Sequence, residues 1–299
     1  MANAGAAAPT SAPGGHRTAA VVQVLAAAAL WGVNGVVARA LFRRAVDPSH
    51  LVQVRMLVGG IALLPLAFAR GSSAIPPRRL PAVALYALLL AAVQLTYFEA
   101  IAAAGVAVAI FLQYTAPLLV AAFEAARQRR LPSPYVRAAL VTATVGSALL
   151  VLPGSGVRVP AAGLLWGIGA AFAFASATVT AGALRRGGLR ATPLLAWGLT
   201  LGSLAFVPLR TPWQALATIP PVDLPYFVYV ALLATALPFT LYAAALATLP
   251  GSVAMLLAML EPVLAAALAW ATLGETLSPE QLAGGALILG AIALAARAK

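Results

Sequence analysis

The chain has 299 residues, 63% of them hydrophobic and 9% charged, with a mean hydropathy of +0.97. A soluble domain carries about 25% charged residues, so a chain this apolar cannot cover a water-facing surface and the bilayer is its solvent. The net charge of +12 sits in short gaps between apolar runs and forms no basic face with interleaved aromatics, which argues against a nucleic-acid partner. There is no cysteine, and His16 and His50 are the two histidines, which removes thiol chemistry and most metal centres, so no metal and no cofactor is expected.

Residues 1–18, rich in Ala, Gly, Pro and Ser, read as a disordered cytoplasmic tail, because no basic start leads directly into an apolar core. A helix needs about 20 apolar residues to cross the hydrocarbon, and in lipid its backbone groups must bond to one another. Ten runs meet or approach that length: 21–42, 51–69, 82–104, 106–126, 136–152, 161–184, 194–208, 224–246, 250–272 and 281–296. The seventh is the shortest and ends near Pro208. Asp47-Pro48-Ser49 separates the first two runs, and Gly71-Ser72-Ser73 with Pro76-Pro77 the next two. Gly105 and Pro250-Gly251 mark tight turns, so runs three and four, and eight and nine, are expected as hairpins.

With the N-terminus inside, thirteen Arg and Lys residues fall on the cytoplasmic side, five on the outer side, and Arg55 within a span. The bias predicts both termini in the cytoplasm. The halves also resemble each other. An offset of 145 places Tyr97 on Tyr242, Ala100 on Ala245, Val108 on Val253, Leu112 on Leu257, Pro117 on Pro262 and Ser133-Pro134 on Ser278-Pro279. An offset of 135 places Leu30-Trp31-Gly32 on Leu165-Trp166-Gly167. Five helices per half is an odd number, so the second half enters the membrane upside down. The expected fold is all-α and integral to the membrane, ten transmembrane helices as two inverted five-helix repeats, 19–152 and 161–299. Inverted repeats are a recurring plan of transporters, with the substrate near the midplane.

Leu30-Trp31-Gly32, the stretch from Tyr97 to Pro117, and Glu261-Pro262 followed by Gly274-Glu275-Thr276-Leu277 resemble the drug/metabolite transporter superfamily in its ten-helix EamA branch. The resemblance covers nearly the whole chain past residue 20, and the aromatic amino-acid exporters are the most similar in style. It implies a carrier of amino acids, drugs or other metabolites. The first half has Ala116-Pro117 where the second has Glu261-Pro262, so no symmetric pair of acidic sites is expected.

A charge inside the bilayer is costly and is kept where it faces a cavity or a partner. Glu261, near the middle of run nine, is an acceptor for a substrate ammonium, a proton carrier, or a structural carboxylate. Arg55 and Glu99 lie at matching depth and are expected to pair between runs two and three, as an outer gate or a packing ion pair. Arg39 competes for Glu99 or reaches the headgroups. Asn34, Gln53, Gln94, Gln113 and Tyr114, with Trp31, Tyr97, Trp166 and Tyr242, supply a partly aromatic cavity, or bond helix to helix. Pro117 and Pro262 each remove a backbone donor in mid-helix and are read as hinges or fixed kinks. Gly163-x-x-x-Gly167 and Gly198-x-x-x-Gly202 suit close helix contact, within a monomer or in a dimer.

No nucleophile–base pair or metal motif points to an enzyme, and no repeated filter motif points to a channel; a channel or membrane scaffold is the alternative of a different class. The expected function is alternating-access export of amino acids, aromatic ones included, and related amphipathic metabolites from a bacterial inner membrane, driven by gradients, either as uniport or as antiport with protons. Drugs, nucleotide sugars and phosphorylated metabolites are the alternative cargoes; the phosphorylated ones call for more intramembrane cations than Arg55 and Arg39.

Overall fold

Long runs of Ala, Leu and Val with few charges have one way to satisfy their backbone in lipid, and in a computed structural model of the chain they take it. The structure describes residues 13–69, 75–151, 160–273 and 277–298, and every regular element among them is helical. In chain order these are α1 (Pro13–Arg43), α2 (Pro48–Ala69), α3 (Leu80–Ala104), α4 (Val106–Gln113), α5 (Ala116–Gln128), α6 (Pro134–Val151), α7 (Ala161–Arg186), α8 (Ala191–Ser203), α9 (Pro212–Ala217), α10 (Leu224–Ala231), α11 (Leu237–Ala245), α12 (Gly251–Ala258), α13 (Leu260–Leu273) and α14 (Pro279–Arg297). Nine segments among the described residues are long and apolar enough to cross a membrane. The shorter Ala191–Phe206 is the tenth apolar helix. The molecule is therefore a multi-pass helical membrane protein.

Three details differ from the sequence reading. Helix α1 begins at Pro13, so the last part of the expected tail is helical, and Arg17 on it donates to the Ala298 carbonyl, joining the two ends of the chain. Residues 1–12 lie outside the described residues, as do Gly71-Ser72-Ser73, Gly274-Glu275-Thr276 and the side chain of Arg39. The seventh span ends at Ser203 and tightens into a 3₁₀ turn to Phe206 instead of reaching Pro208. The connection after it holds an unforeseen short helix, α9, started by a Thr211–Gln214 capping box with Pro212 in the first turn.

The two halves start and break their helices at equivalent places. Ser133-Pro134 and Ser278-Pro279 each open the fifth helix of a half; the Ser278 hydroxyl accepts from the Gln281 N–H, and the Ser133 hydroxyl from the Val136 N–H. Span four is broken between α4 and α5 at Tyr114-Thr115, and span nine between α12 and α13 at Met259, which is 145 residues later than Tyr114. Each break precedes a proline, Pro117 or Pro262, that cannot donate to the turn before it. The contacts between halves are reciprocal. Helix α3 packs on α7 as α11 packs on α1, α4 and α5 on α7 as α12 and α13 on α1, and α2 lies on α8 and α6 on α14.

Small residues set these distances. A Cβ on Gly60 of α2 would clash with the Thr200 hydroxyl and stand 2.6 Å from its backbone nitrogen on α8. A Cβ on Gly146 of α6 would meet the Gly284 carbonyl of α14 at 2.7 Å. Gly163, Gly167, Gly198 and Gly202 likewise lie within contact of Ala104, Leu112, Tyr86 and Ala87 of this same chain. Replacing Gly60 with Val is expected to destabilise the fold by roughly 1–3 kcal/mol through overpacking against backbone. Gly290→Ala, where nothing lies within 4 Å of the added carbon, is expected to leave the thermal midpoint in detergent unchanged.

Polar groups gather at the end where α1 meets α2. Asp47 caps α2, accepting from the His50 N–H at 2.9 Å and from the Ser49 hydroxyl, and Arg210 reaches it at 3.4 Å. His50 Nε2 lies 2.7 Å from the Ala215 carbonyl of α9. Arg44 pairs with the buried Asp223 at 2.5 Å. Partial burial pushes the Asp47 carboxyl up, but the bonds from Ser49 and His50, with Arg210, outweigh it and hold the group below its ordinary value of 3.8. A depressed carboxylate contributes stability that is present above its unfolded value and lost as pH falls through the folded one. The thermal midpoint of the wild type should therefore drop more steeply below about pH 4 than that of Asp47→Asn, with the two curves converging at the acid end.

Candidate functional site

The midplane is built from the helix breaks. Pro262 leaves the Ala258 carbonyl without its helical donor, and the Tyr114 hydroxyl, at the break of span four, reaches it at 2.9 Å. The same hydroxyl lies 2.6 Å from Glu261 Oε2, and the Tyr97 hydroxyl of α3 lies 3.5 Å from Oε1. The breaks of the two halves are thus joined through one tyrosine and one carboxylate. Tyr114 has a single proton for two acceptors. A positive group or a proton arriving on Glu261 would complete that arrangement without taking anything from Ala258.

Beside Glu261 lies a narrow cavity of about 40 Å³, room for a few waters, which has to widen for a larger ligand; it is lined by Trp31, Asn34, Arg55, Val93, Gln94, Tyr97, Gln113, Phe174, Phe239 and Glu261. Six residues expected there from the sequence, Trp31, Asn34, Gln94, Tyr97, Gln113 and Glu261, are in its wall. Trp31 (6% exposed), Asn34 (4%) and Gln94 (3%) are buried, yet Trp31 Nε1, Asn34 Oδ1 and both amide atoms of Gln94 have no hydrogen-bond partner among the described residues. Buried polar atoms in folded proteins are nearly always paired, so a cluster of unpaired ones around one cavity marks a place for water or a polar ligand. The apolar wall is aromatic. Trp31 meets Phe239 edge-on at 5.0 Å and Phe174 at 6.5 Å between ring centroids.

Arg55 is the cation of this wall, 2% exposed. The expected pair with Glu99 is not formed. Arg55 Nε donates to the Thr235 hydroxyl at 2.6 Å and Nη2 to the Ala234 carbonyl at 2.9 Å, and its guanidinium lies over the Phe98 ring at 4.7 Å. Phe98 takes the face of α3 that meets Arg55, and the next residue is turned about 100° away, which leaves Glu99 half-buried on another face. One π turn, Leu232–Ala236, brings the acceptors within reach. Thr235 there bonds back to the Val230 carbonyl, five residues earlier, at 2.6 Å. Such widened turns are frequent at functional sites, and nothing in the run Leu232-Leu233-Ala234-Thr235-Ala236 announces one.

The other expected residues fall elsewhere. Trp166 is 37% exposed on the outside of α7, although the glycine after it packs on Leu112 of α4 as Gly32 packs on Leu264 of α13. Tyr242 is buried below the cavity, bonded to the Thr178 hydroxyl at 3.1 Å and packed against Trp31 and Phe174. Gln53 donates to the Arg210 carbonyl at 2.8 Å and belongs to the α1–α2 end. Pro117 and Pro262 stand at the two breaks, where the backbone already departs from continuous helix. Val93, Phe174 and Phe239 were not foreseen. For Phe239 a signal existed: it stands 145 residues after Gln94, at the equivalent position of the other half.

The chain matches the model of the EamA-like transporter family twice, over residues 18–152 and 161–297. It is 29% identical over 284 residues to an uncharacterized inner membrane transporter, YicL, of Salmonella typhimurium, an alignment covering 92% of this chain and 94% of that one. It is 30% identical over 268 residues to an uncharacterized transporter, YwfM, of Bacillus subtilis, covering 89% and 90%. A solved crystal structure shares the fold with a TM-score of 0.74 at 20% identity, covering 93% of this chain and 96% of that one. Two family-length repeats, ten apolar helices and a polar cavity where their breaks meet agree with these matches: the chain belongs to the EamA-like transporter family and is a multi-pass membrane transporter.

Proposed function

We propose that the protein is an alternating-access exporter of amino acids, aromatic ones among them, and of related small amphipathic metabolites. The observation that carries the reading is that a carboxylate, Glu261, and a guanidinium, Arg55, line one buried cavity together with aromatic rings. A zwitterion supplies the complement of both charges. Its ammonium meets Glu261, Tyr97 and Gln94, its carboxylate meets Arg55, and its side chain lies against Trp31, Phe174 and Phe239. The unpaired atoms of Trp31, Asn34 and Gln94 finish the polar set. Nucleotide sugars and phosphorylated metabolites fit less well, since Arg55 is the one cation among the lining residues.

The reciprocal packing of the halves and the odd number of helices in each support an inverted repeat, in which rocking of one half against the other exposes the midplane to either side in turn. The bias of Arg and Lys supports an orientation in the bacterial inner membrane with both termini in the cytoplasm. Glu261, as the carboxylate of the cavity, is also the group that a proton would ride. Uptake of labelled amino acids into liposomes carrying the purified protein, with and without a pH gradient, tests the reading. Saturable uptake that amino acids compete for is expected, and its response to the gradient separates uniport from proton exchange. Uptake of organic cations or phosphorylated compounds, with none of any amino acid, would replace the proposed cargo.

A further inference from the structure

A second cavity lies toward the other end of the same helices. It is lined by Phe123, Glu124, Arg127 and Gln128 of α5, Thr178, Val179 and Arg186 of α7, and residues 248–251 leading into α12, and it holds about 320 Å³ of space. In the orientation proposed above this is the cytoplasmic end. Only a thin partition separates it from the central cavity. Phe174, which lines the central cavity, and Thr178, which lines the inner one, are one turn apart on α7, about 6 Å along its axis. The Thr178–Tyr242 hydrogen bond closes the space between them, and the Tyr242 ring packs at a tilt on Trp31, 5.7 Å between centroids.

One fastening beside this partition joins the two halves directly. Glu124 of the first half accepts from the Gly251 N–H at 2.8 Å and from the Ser252 hydroxyl at 2.5 Å, so both its oxygens grip the start of α12 in the second half. Gly251 lets α12 come this close, for a Cβ there would meet Val120 at 3.0 Å and Thr178 at 3.1 Å. A carboxylate at a helix N-terminus is favoured by the dipole as well as by the two bonds. At the other end of the repeat the equivalent positions, 145 residues away, are Ala269, Val106 and Ala107, none of which has a carboxylate or hydroxyl to offer. The clasp is therefore not repeated at these positions, and the opposite end is joined across the halves by different pairs, Arg44–Asp223 and Arg210–Asp47.

We infer that the inner cavity is the cytoplasmic antechamber of the transport route, and that Glu124 is the clasp that holds α5 to α12 and keeps the antechamber shut from the central site. The cargo that enters is the carboxylate-bearing amphipathic class proposed above, for which Arg127 and Arg186 stand at the wall. This part rests on that reading, whereas the clasp does not. Loss of the clasp should favour the state in which the centre is open to the cytoplasm.

The chain has no cysteine, so single-cysteine reporters need no prior engineering. Val93→Cys reports on the central cavity and Thr248→Cys on the inner one, in vesicles exposed on their cytoplasmic face to a membrane-impermeant thiol reagent. Thr248→Cys should react readily with or without Glu124. Val93→Cys should react slowly when Glu124 is present and about tenfold faster or more in Glu124→Ala, the shift that loss of charge-assisted hydrogen bonds brings. Ser252→Ala, which removes one bond and leaves the Gly251 N–H, should give a smaller rise in the same direction and serves if Glu124→Ala does not insert. An unchanged cytoplasmic rate at Val93→Cys in inserted protein, with Thr248→Cys still reactive, would overturn the inference. No substrate enters the assay, so that failure would leave the amino-acid reading untouched, and absence of amino-acid uptake would leave the clasp standing.

Discussion

Glu261→Gln is expected to lower the apparent affinity for zwitterionic substrate by roughly 10- to 100-fold, the worth of a hydrogen bond to a charged group in a desolvated site. Glutamine keeps the shape, and its carbonyl oxygen still accepts from the Tyr114 hydroxyl that sits 2.6 Å away. What it loses is the charge that meets the substrate ammonium. The protein should therefore fold and insert as the wild type does, with transport lost at low substrate and partly recovered at high. If a proton rides on Glu261, the response of uptake to a pH gradient should vanish in this variant as well. Uptake assayed over a wide substrate range, beside the elution profile of the purified variant, checks both points.

Arg55→Ala should have a comparable effect through the opposite end of the substrate. The guanidinium is fixed from three sides, by Thr235, by the Ala234 carbonyl and by the face of Phe98, all of them neutral partners. A buried cation held by neutral partners keeps its charge for a ligand. Arg55→Lys keeps the charge and loses the planar fork, so it should retain part of the activity, whereas Arg55→Ala should lose roughly 10- to 100-fold in apparent affinity. The Thr235 hydroxyl retains its bond to Val230 in both variants, which leaves the π turn a partner. Competition by unlabelled substrate against labelled uptake measures the difference.

The architecture could be read from the sequence because lipid permits so few solutions. Ten apolar runs had to be helices, and prolines and glycines at fixed offsets revealed two halves. The polar wall was legible for a related reason: Asn34, Gln94, Gln113 and Glu261 have no inexpensive place in a lipid-facing helix, so a cavity was the natural place to put them. Three kinds of detail were hidden. The partner of Arg55 depended on a π turn whose five residues carry no signal of their own. Trp166 faces outward although both glycines of the Trp-Gly pairs pack against a neighbouring helix, and an offset between repeats does not encode which indole is buried. The short helix α9 was lost because its Thr-Pro-x-Gln start lies in a connection taken for loop, although the capping box was there to be read.

The most direct test compares three forms of one transported amino acid, the free zwitterion, its methyl ester and its N-acetyl derivative, as competitors of labelled uptake by the wild type, Glu261→Gln and Arg55→Ala. A site that holds the ammonium at Glu261 and the carboxylate at Arg55 predicts that both derivatives compete poorly with the wild type. The penalty for N-acetylation should then disappear in Glu261→Gln alone, and the penalty for esterification in Arg55→Ala alone. Equal penalties in all three proteins would contradict the account and place the recognition of the charged groups outside the cavity between these two residues.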